Sequence, residues 1–500
     1  MTLPLSISAT PDGDLSVNAR ELMTASTATD IPLDLSGAQF SEIMRVVTDF
    51  LGQYLDRLPR APVLQNEGAE AFLRDAAMRQ PPPEGGRALS ELIEIIGRAG
   101  EIGANPASKG CLAYVPSAGL SVSAVADLIS GVLNRYTGVS FVAPALVALE
   151  LDVIRWLCNL MALPEAAGGI LTSGGSMAAF SALLCARTAH LPEDFSAGTL
   201  YLTEQTHHSI AKAARLAGFP DRALRVVPVD GALRMDVAAL QSMIEADRAS
   251  GSRPFCVVAS AGTTNTGVVD PLHAIADLAW TEQLWLHVDA AYGGFFQLTE
   301  RGRRRLSGIE RADSIVLDPH KGLSLPFGTG CLLVRDAGWL RRAHSGEDAA
   351  YLRDVEDTGL VDFADVSPEL TRPNRGLRLW LPLHLHGVGA FRKATDGMLD
   401  LAQEAYRALS EIPGIELMGS PDLSILSFRC VSIERGDRAT EELVRRVNDG
   451  GRFYLSSTSI NDRVAARIAI LNYRTKSADI DDLVGSIREI AADLAARNAD

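Results

Sequence analysis

The stretch "SIVLDPHKG", residues 314–322, places a lysine directly after a short apolar run. The apolar residues at 315–317, two of them β-branched, are typical of a buried strand, and Pro319 predicts that the chain turns there. Lys321 follows this turn, although lysine is among the residues least often buried, because its charge is costly to remove from water. A lysine at the end of a core strand therefore predicts a chemical role.

The segments around this lysine alternate between short β-branched runs and helical stretches from about residue 165 onward. Such alternation predicts an α/β fold with a mostly parallel central sheet. In sheets of this kind, ligands bind beyond the carboxyl ends of the strands, which is where Lys321 falls. The strand-like runs are GGILTS, TLYLTE, ALRVVPVD, PFCVVASAG, LWLHVDAAY, DSIVLDPHK and GCLLVRD.

Changes of pattern along the chain predict four regions. Residues 1–34 are rich in Ser, Thr, Ala and Asp without firm periodicity, which is typical of a mobile tail. Residues 35–105 show apolar residues at helical spacing but too few for a core of their own, so we expect a helical dimerisation segment. Residues 106–388 form the large domain, and residues 389–500 form a small α+β C-terminal domain.

Composition and charge exclude several classes of protein. The 500 residues carry a formal net charge of -15, so the surface repels nucleic acid and anionic membranes. Six cysteines without a C-x-x-C pair, and no secretory signal or transmembrane stretch, predict a cytoplasmic protein with reduced thiols. No metal site is expected, because no H-E-x-x-H motif occurs and His384 and His386 would point to different sides of a helix.

The predicted strand ends carry polar side chains. Gly174 and Gly175 let the backbone approach a ligand, and Ser176 opens a helix whose free amides attract an anion, although this motif taken alone favours an ordinary N-cap turn. His207 stands where the next strand turns into a helix, and a solvated histidine fits there too. Asp289 closes another apolar run, where a carboxylate needs a cationic or donor partner.

One ligand uses this whole set of groups, namely pyridoxal 5′-phosphate. Its phosphate suits the helix N-terminus, its aldehyde suits the amine of Lys321, and its ring nitrogen suits the carboxylate of Asp289. The imidazole of His207 can stack on its flat ring. Covalent attachment to a cofactor would explain a lysine at the end of a core strand.

Six motifs, TSGGS, QTHHS, AGTTNTG, HVDAAYGG, DPHKG and RLWLPLHLHG, resemble in order and spacing the group II pyridoxal-phosphate-dependent amino acid decarboxylases. That family includes the aromatic-amino-acid, glutamate, tyrosine and histidine decarboxylases. The resemblance implies the fold type I pyridoxal-phosphate-dependent transferase fold, a homodimer with shared active sites, and decarboxylation of an L-amino acid or an amino-acid-like small molecule.

The same resemblance implies roles for individual residues. Lys321 matches the lysine that binds the cofactor covalently, Asp289 the partner of the ring nitrogen, and His207 the stacking histidine. The other implied cofactor contacts are Gly174, Gly175, Ser176, Thr263 or its neighbour Thr264, Ala291 and His320. The candidate substrate-pocket residues are Tyr114, Ser117 and Arg375.

Three positions depart from the family pattern. Asp318 stands where many relatives have an asparagine near the phosphate, so we expect it to turn away or to pair with a cation. Gly322 replaces a bulky aromatic residue. Phe363 falls where relatives carry the catalytic-loop tyrosine that protonates the product, since Tyr351 lies too early. Phenylalanine cannot donate a proton, and this replacement resembles the aldehyde synthases of the family.

The sequence therefore leaves two main reactions open: decarboxylation to an amine and CO2, and a coupled oxidative deamination that gives an aldehyde, ammonia and peroxide. A cofactor-free pseudoenzyme is disfavoured by the presence of Lys321 and Asp289, and a serine hydrolase by the lack of a G-x-S-x-G motif. The substrate stays open, because Val115 and Val139 fall near positions that relatives often fill with aromatic residues.

Overall fold

The computed structural model describes residues 33–75, 81–115, 118–346, 358–431 and 436–497. Most of the predicted tail, together with Ser117 and Tyr351, lies outside these ranges. Within them, no helix is both long enough and apolar enough to cross a membrane.

The helices and strands follow the alternation expected from the sequence. The α-helices are Gly37–Arg57, Ala69–Arg74, Leu89–Glu101, Ser121–Leu133, Pro144–Leu160, Gly175–His190, His208–Leu216, Val237–Ala249, Leu272–Thr281, Glu300–Arg305, Pro319–Gly322, Gly338–His344, Gly376–His386, Val388–Ser410, Gly436–Asp449 and Ser477–Ala496. The strands are β1 Leu64–Gln65, β2 Gly103–Ala104, β3 Gly168–Thr172, β4 Gly198–Thr203, β5 Leu224–Val227, β6 Arg253–Ser260, β7 Trp285–Asp289, β8 Ser314–Leu317, β9 Gly330–Val334, β10 Ile415–Leu417, β11 Ile425–Cys430, β12 Ser456–Ile460 and β13 Arg463–Ala469.

The chain divides into two compact units, residues 1–105 and 106–500. In the first unit, the helix Gly37–Arg57 begins with a capping box, in which Ser36 and Gln39 each accept a hydrogen bond from the other's backbone amide. The long helices of this unit bury none of their residues. Their apolar side chains are therefore available for contacts outside this unit.

The second unit is built on a seven-stranded sheet in the order β3-β9-β8-β7-β6-β4-β5. Strands β4 to β8 pair in parallel, while β9 is antiparallel to both of its neighbours. The predicted mostly parallel α/β sheet is thus confirmed. Because β9 lies between β8 and β3 and is antiparallel to both, β3 runs in the same direction as β8. The carboxyl end of β3 therefore lies at the same edge as those of β4, β6, β7 and β8.

A four-stranded antiparallel sheet in the order β10-β11-β13-β12 follows late in the chain. It belongs to the same compact unit as the large sheet, so the predicted boundary between residues 388 and 389 stays a prediction. The helix Val388–Ser410 precedes this sheet.

The centre of the large sheet contains a buried polar cluster. In β7, the indole of Trp285 donates to the hydroxyl of Ser314 on β8, and Nδ1 of His287 lies 2.8 Å from the same hydroxyl. Nε2 of His287 has no hydrogen-bond partner. Burial therefore lowers the pKa of His287 to about 4.

We expect the pH dependence of stability to change when His287 is replaced. The folded chain keeps this ring neutral down to about pH 4, whereas an unfolded chain protonates it near its ordinary pKa of 6.5. Acid therefore favours the unfolded state. The free energy of unfolding should fall by about 3 kcal/mol because of this residue as the pH falls from 6.5 to 4. Denaturant titrations of wild type and His287→Gln across this range measure it; parallel pH profiles for the two proteins would contradict it.

Candidate active site

A cavity of about 490 Å³ opens at the edge of the sheet where the carboxyl ends of the parallel strands meet. Its walls come from five strand ends and from the turns that follow them. The lining residues are Ser173, Gly174, Gly175, Ser176, Met177, Ala179, His207, Ser209, Ser260, Gly262, Thr263, Thr264, Asp289, Ala291, Tyr292, Val316, Asp318, His320 and Lys321.

One wall is the start of the helix Gly175–His190, directly after β3. The amides of Met177 and Ala178 both donate to the carbonyl of Gly174, so the helix starts inside the cavity wall. Gly330 on β9 approaches so closely that a Cβ there would lie 2.5 Å from the carbonyl carbon of Gly174. The free amides and the positive dipole end at this helix start make a cradle for an anion.

Lys321 lies on the short helix Pro319–Gly322 that follows β8. Its Nζ is 2.9 Å from Oδ2 of Asp318, and both side chains are largely removed from solvent. The expectation that Asp318 turns away or pairs with a cation is therefore met by pairing. Its partner is Lys321 itself, which the sequence did not indicate.

His207 caps the helix His208–Leu216 with its own ring. Nδ1 accepts a hydrogen bond from the amide of Ser209 at 3.3 Å and lies 2.7 Å from the Ser209 hydroxyl. The proton of the neutral ring is therefore on Nε2. Burial lowers the pKa of His207, only partly offset by the negative charge of Asp289, which favours a neutral ring in the cavity lining.

Asp289 ends β7, and its Oδ1 accepts a hydrogen bond from the amide of Ala291 at 3.1 Å. This bond fixes the carboxylate at the cavity wall beside a side chain no larger than a methyl group. Thr263 and Thr264 both line the opposite turn, and the hydroxyl of Thr263 is engaged by that of Thr266 at 2.9 Å.

His320 lies between the lysine and the anion cradle. Its Nδ1 donates to the carbonyl of Thr329 at 2.6 Å, because a carbonyl can only accept. An ideal Cβ on Gly174 would lie 4.0 Å from Cε1 of this ring. The edge of the imidazole thus faces the cradle, where an N–H or a lone pair at Nε2 can meet a ligand.

Phe363 is not a cavity residue. Its side chain is 0% exposed, and its ring lies 4.3 Å from the guanidinium carbon of Arg372. Arg372 in turn forms a buried ion pair with Glu150 at 2.5 Å. In this chain the ring of Phe363 covers a buried cation, and its predicted role in the catalytic loop stays a prediction.

Two further candidates from the sequence also lie outside the cavity lining. Both terminal nitrogens of Arg375 are occupied by the carboxylate of Glu369, at 2.6 and 2.9 Å. Arg375 is therefore held by this ion pair, and its predicted contact with the substrate stays a prediction. Tyr114 is exposed, with its hydroxyl 3.3 Å from that of Tyr454.

Sequence reasoning missed one charged side chain near the cavity. Arg467 on β13 is buried, and its Nε and Nη2 have no hydrogen-bond partner, while Nη1 donates to Ser456 at 3.0 Å. Burial lowers its pKa to about 10, against the opposing effect of Tyr292, which lines the cavity. The sequence feature that could have indicated it is an arginine in the middle of the mainly apolar strand segment "RVAARIAILN".

The residues present fit pyridoxal phosphate. The cavity offers an amine, an anion cradle, a fixed carboxylate and a neutral imidazole face, and Lys321 is its one lysine among the described residues. The cradle suits the phosphate, Asp289 suits a protonated ring nitrogen, and His207 and Ala291 suit the faces of a flat ring.

Comparisons with known proteins agree with this fit. Residues 104–431 match the pyridoxal-dependent decarboxylase conserved domain. The chain is similar to the aromatic-L-amino-acid decarboxylase of Bacillus atrophaeus, with 32% identity over 92% of this chain and 97% of the relative. It also resembles a solved structure of Oryza sativa TDC with PLP and tryptamine, at a TM-score of 0.87 and 26% identity over 93% of this chain and 100% of that chain.

A second similar structure is the 4-hydroxyphenylacetaldehyde synthase of Rhodiola rosea. Its TM-score is 0.84 at 24% identity, with 93% of this chain and 100% of that chain covered. At this level of identity, the similarity supports a shared fold and not a shared reaction.

The contacts of Gly322 explain why a bulky residue is missing after the lysine. A Cβ on Gly322 would lie 2.7 Å from Cβ of the fully buried Phe295. We therefore expect Gly322→Ala to destabilise the protein by about 1–3 kcal/mol. The matched control is Gly397→Ala in the helix Val388–Ser410, where no atom lies within 4 Å and alanine should be neutral or stabilising.

Thermal and denaturant unfolding of the two variants measure this difference. Equal midpoints for Gly322→Ala and Gly397→Ala would show that Phe295 yields to the added methyl group.

Proposed function

The chain belongs to the pyridoxal-dependent decarboxylase family, and we propose that it converts an L-amino acid with an aromatic side chain into the corresponding amine and CO2. The observation that carries this proposal is the convergence of Lys321, Asp289, His207 and the anion cradle on one cavity. The aromatic class is supported by the similarity to the Bacillus atrophaeus enzyme over nearly the whole chain.

The predicted family, the fold type I architecture and the cofactor are confirmed, and the chain is a pyridoxal-phosphate-dependent carboxy-lyase. When bound, this cofactor supplies an electron sink for the electron pair that the departing carboxylate leaves behind. The protein supplies binding, orientation and electrostatics for that chemistry.

Each residue of the cavity has a physical task in this proposal. The amides at the start of the helix Gly175–His190 bind the phosphate group. Asp289, fixed by the Ala291 amide, holds a proton at the ring nitrogen, because a carboxylate stabilises the cation beside it. The neutral ring of His207 packs flat against the cofactor and excludes water from that face.

Arg467 offers the positive charge that an amino acid carboxylate needs. A buried guanidinium without a carboxylate partner destabilises the fold unless a bound anion neutralises it. Arg467 interacts electrostatically with Tyr292, which lines the cavity, and two of its nitrogens have no hydrogen-bond partner. We assign it to the recognition of the substrate carboxylate, directly or through a bridging water.

The amine product is favoured over the aldehyde by the position of Phe363. The argument for an aldehyde rested on Phe363 as the replacement of a proton-donating tyrosine, and this ring is buried over Arg372 instead. We therefore propose Tyr351 as the proton donor, although it stands earlier in this stretch than the family tyrosine; it lies outside the described residues. The oxidative reaction remains the second candidate.

A homodimer is the expected state. On the helix Ser121–Leu133, Val125, Leu128, Ile129 and Val132 are exposed at helical spacing along one face, while Ser123 and Asp127 bond to Arg378 on the other. An apolar stripe on a helix that is already anchored suits a second copy of the chain. We place the protein in the cytoplasm, since all six cysteines are free and buried.

The reaction is tested by product balance. We expect one aromatic L-amino acid among tryptophan, tyrosine and phenylalanine to give amine and CO2 in equal amounts, without peroxide. Lys321→Ala should lose both the visible cofactor band and borohydride labelling. No CO2 from any of these, or from 2,4-diaminobutyrate, would contradict the proposal, and peroxide formed in step with CO2 would replace the amine reaction with the oxidative one.

Two variants locate the proton donor within the same assay. Tyr351→Phe should raise the share of peroxide and ammonia by about tenfold or more, because a general acid contributes on the order of 10²–10⁴ in rate. Phe363→Tyr, the matched change in the opposite sense, should leave the product ratio as it is and lower stability, since it adds a hydroxyl at a fully buried position. The reverse pattern would restore Phe363 as the deciding residue.

Dimerisation is tested with one substitution at two places. Leu128→Asp puts a charge on the apolar stripe and should give monomers that retain cofactor poorly. Leu216→Asp introduces the same charge at another exposed leucine and should leave the oligomeric state unchanged. Sedimentation at several concentrations measures both, and a dimer that survives Leu128→Asp would place the interface elsewhere.

A further inference from the structure

Asp318 is a second carboxylate in the cavity wall, and the proposed reaction gives it no task. Its side chain is 2% exposed, with Oδ2 at 2.9 Å from Nζ of Lys321. Its Oδ1 has no hydrogen-bond partner, which is unusual for a buried carboxylate. A buried carboxylate with one unpaired oxygen lowers the stability of the fold, and such a residue is often retained because it has a function.

The carboxylate lies directly against the anion cradle. An ideal Cβ on Gly175, the first residue of the cradle helix, would be 3.0 Å from Oδ2 and 3.3 Å from Oδ1 of Asp318. A negative charge at this range opposes the binding of a phosphate, and little solvent is present to screen it. The affinity of the cradle therefore depends on what neutralises Asp318.

Lys321 is the group that does so. No arginine and no other lysine among the described residues lies within 4.0 Å of this carboxylate. Nδ1 of His320 is 3.9 Å from Oδ1, but that nitrogen already donates to the carbonyl of Thr329. His207 is held neutral by burial. The charge of the lysine amine alone decides whether the cradle has a neutral pair or a bare carboxylate beside it.

We propose that Asp318 is a positioning residue that couples the charge of Lys321 to the affinity of the cradle for a phosphate monoester. While the amine is a free ammonium, the pair is neutral and the cradle binds phosphate firmly. When the amine loses that charge, Asp318 repels the phosphate. This rests on the proposed function for the identity of the ligand.

The coupling is measured in the cofactor-free, full-length protein with a probe that cannot react with the lysine. Pyridoxine 5′-phosphate carries an alcohol in place of the aldehyde, and inorganic phosphate reports on the cradle alone. Calorimetric affinities are compared for wild type, Asp318→Asn, Lys321→Met and the double variant. The pair carries net charges of 0, +1, -1 and 0 in these four proteins.

The expected order of affinity is Asp318→Asn above wild type, wild type close to the double variant, and Lys321→Met weakest. Each unit of charge should change the affinity by about tenfold or more, as expected for charges a few ångströms apart in a partly buried site. Glu204→Gln removes a charge at the same edge of the sheet outside the cavity lining, and it should change the affinity by less than about threefold.

Equal affinities for Lys321→Met and the double variant would overturn the proposal, as would weaker binding by Asp318→Asn. Thermal unfolding of each variant identifies any that does not fold, and Asp318→Asn against wild type then decides alone. Failure here is separable from failure of the proposed function: a protein that releases CO2 and amine but lacks this order of affinities loses only the role of Asp318.

Discussion

A charged amine held at the buried end of a core strand has to be neutralised, and the edge of the large sheet is arranged around this constraint. The carboxylate of Asp318, three residues before Lys321 and on the turn that follows β8, meets the ammonium at 2.9 Å. The same carboxylate lies against Gly175, so the amine and the anion cradle share one electrostatic partner. The charges of the cavity are therefore interdependent. Removing one of them changes how strongly the cavity binds a charged ligand.

Much of this arrangement follows from local sequence pattern. Alternating strands and helices predict the parallel sheet, and the topology then brings Lys321, Asp289, His207 and the glycine run to one edge. These residues adjoin strand ends, where position depends on a few neighbouring residues. Their individual roles in binding the cofactor remain predictions, but their convergence on one cavity is a property of the structure.

The sequence predicted less where position depends on distant partners. Phe363 packs on Arg372, whose partner Glu150 lies far away in the chain. Arg375 pairs with the nearby Glu369, but in a segment whose irregular pattern predicts no pairing. Arg467 was overlooked because a single cation in an apolar strand is indistinguishable from an exposed edge residue until burial is known. The positions of Phe363, Arg375 and Arg467 thus depend on contacts and burial that exist only in the folded chain, and the roles predicted for the first two stay predictions.

The cap of the helix His208–Leu216 has a consequence for ligand geometry. Its first turn uses Nδ1 of His207 as an acceptor, so the backbone of that helix decides which ring nitrogen keeps the hydrogen. The outward nitrogen of the neutral ring can then only give a hydrogen bond. A ligand that contacts this nitrogen must therefore offer a hydrogen-bond acceptor. A ligand that offers a donor there finds no acceptor, because the helix cap has fixed the tautomer of the ring.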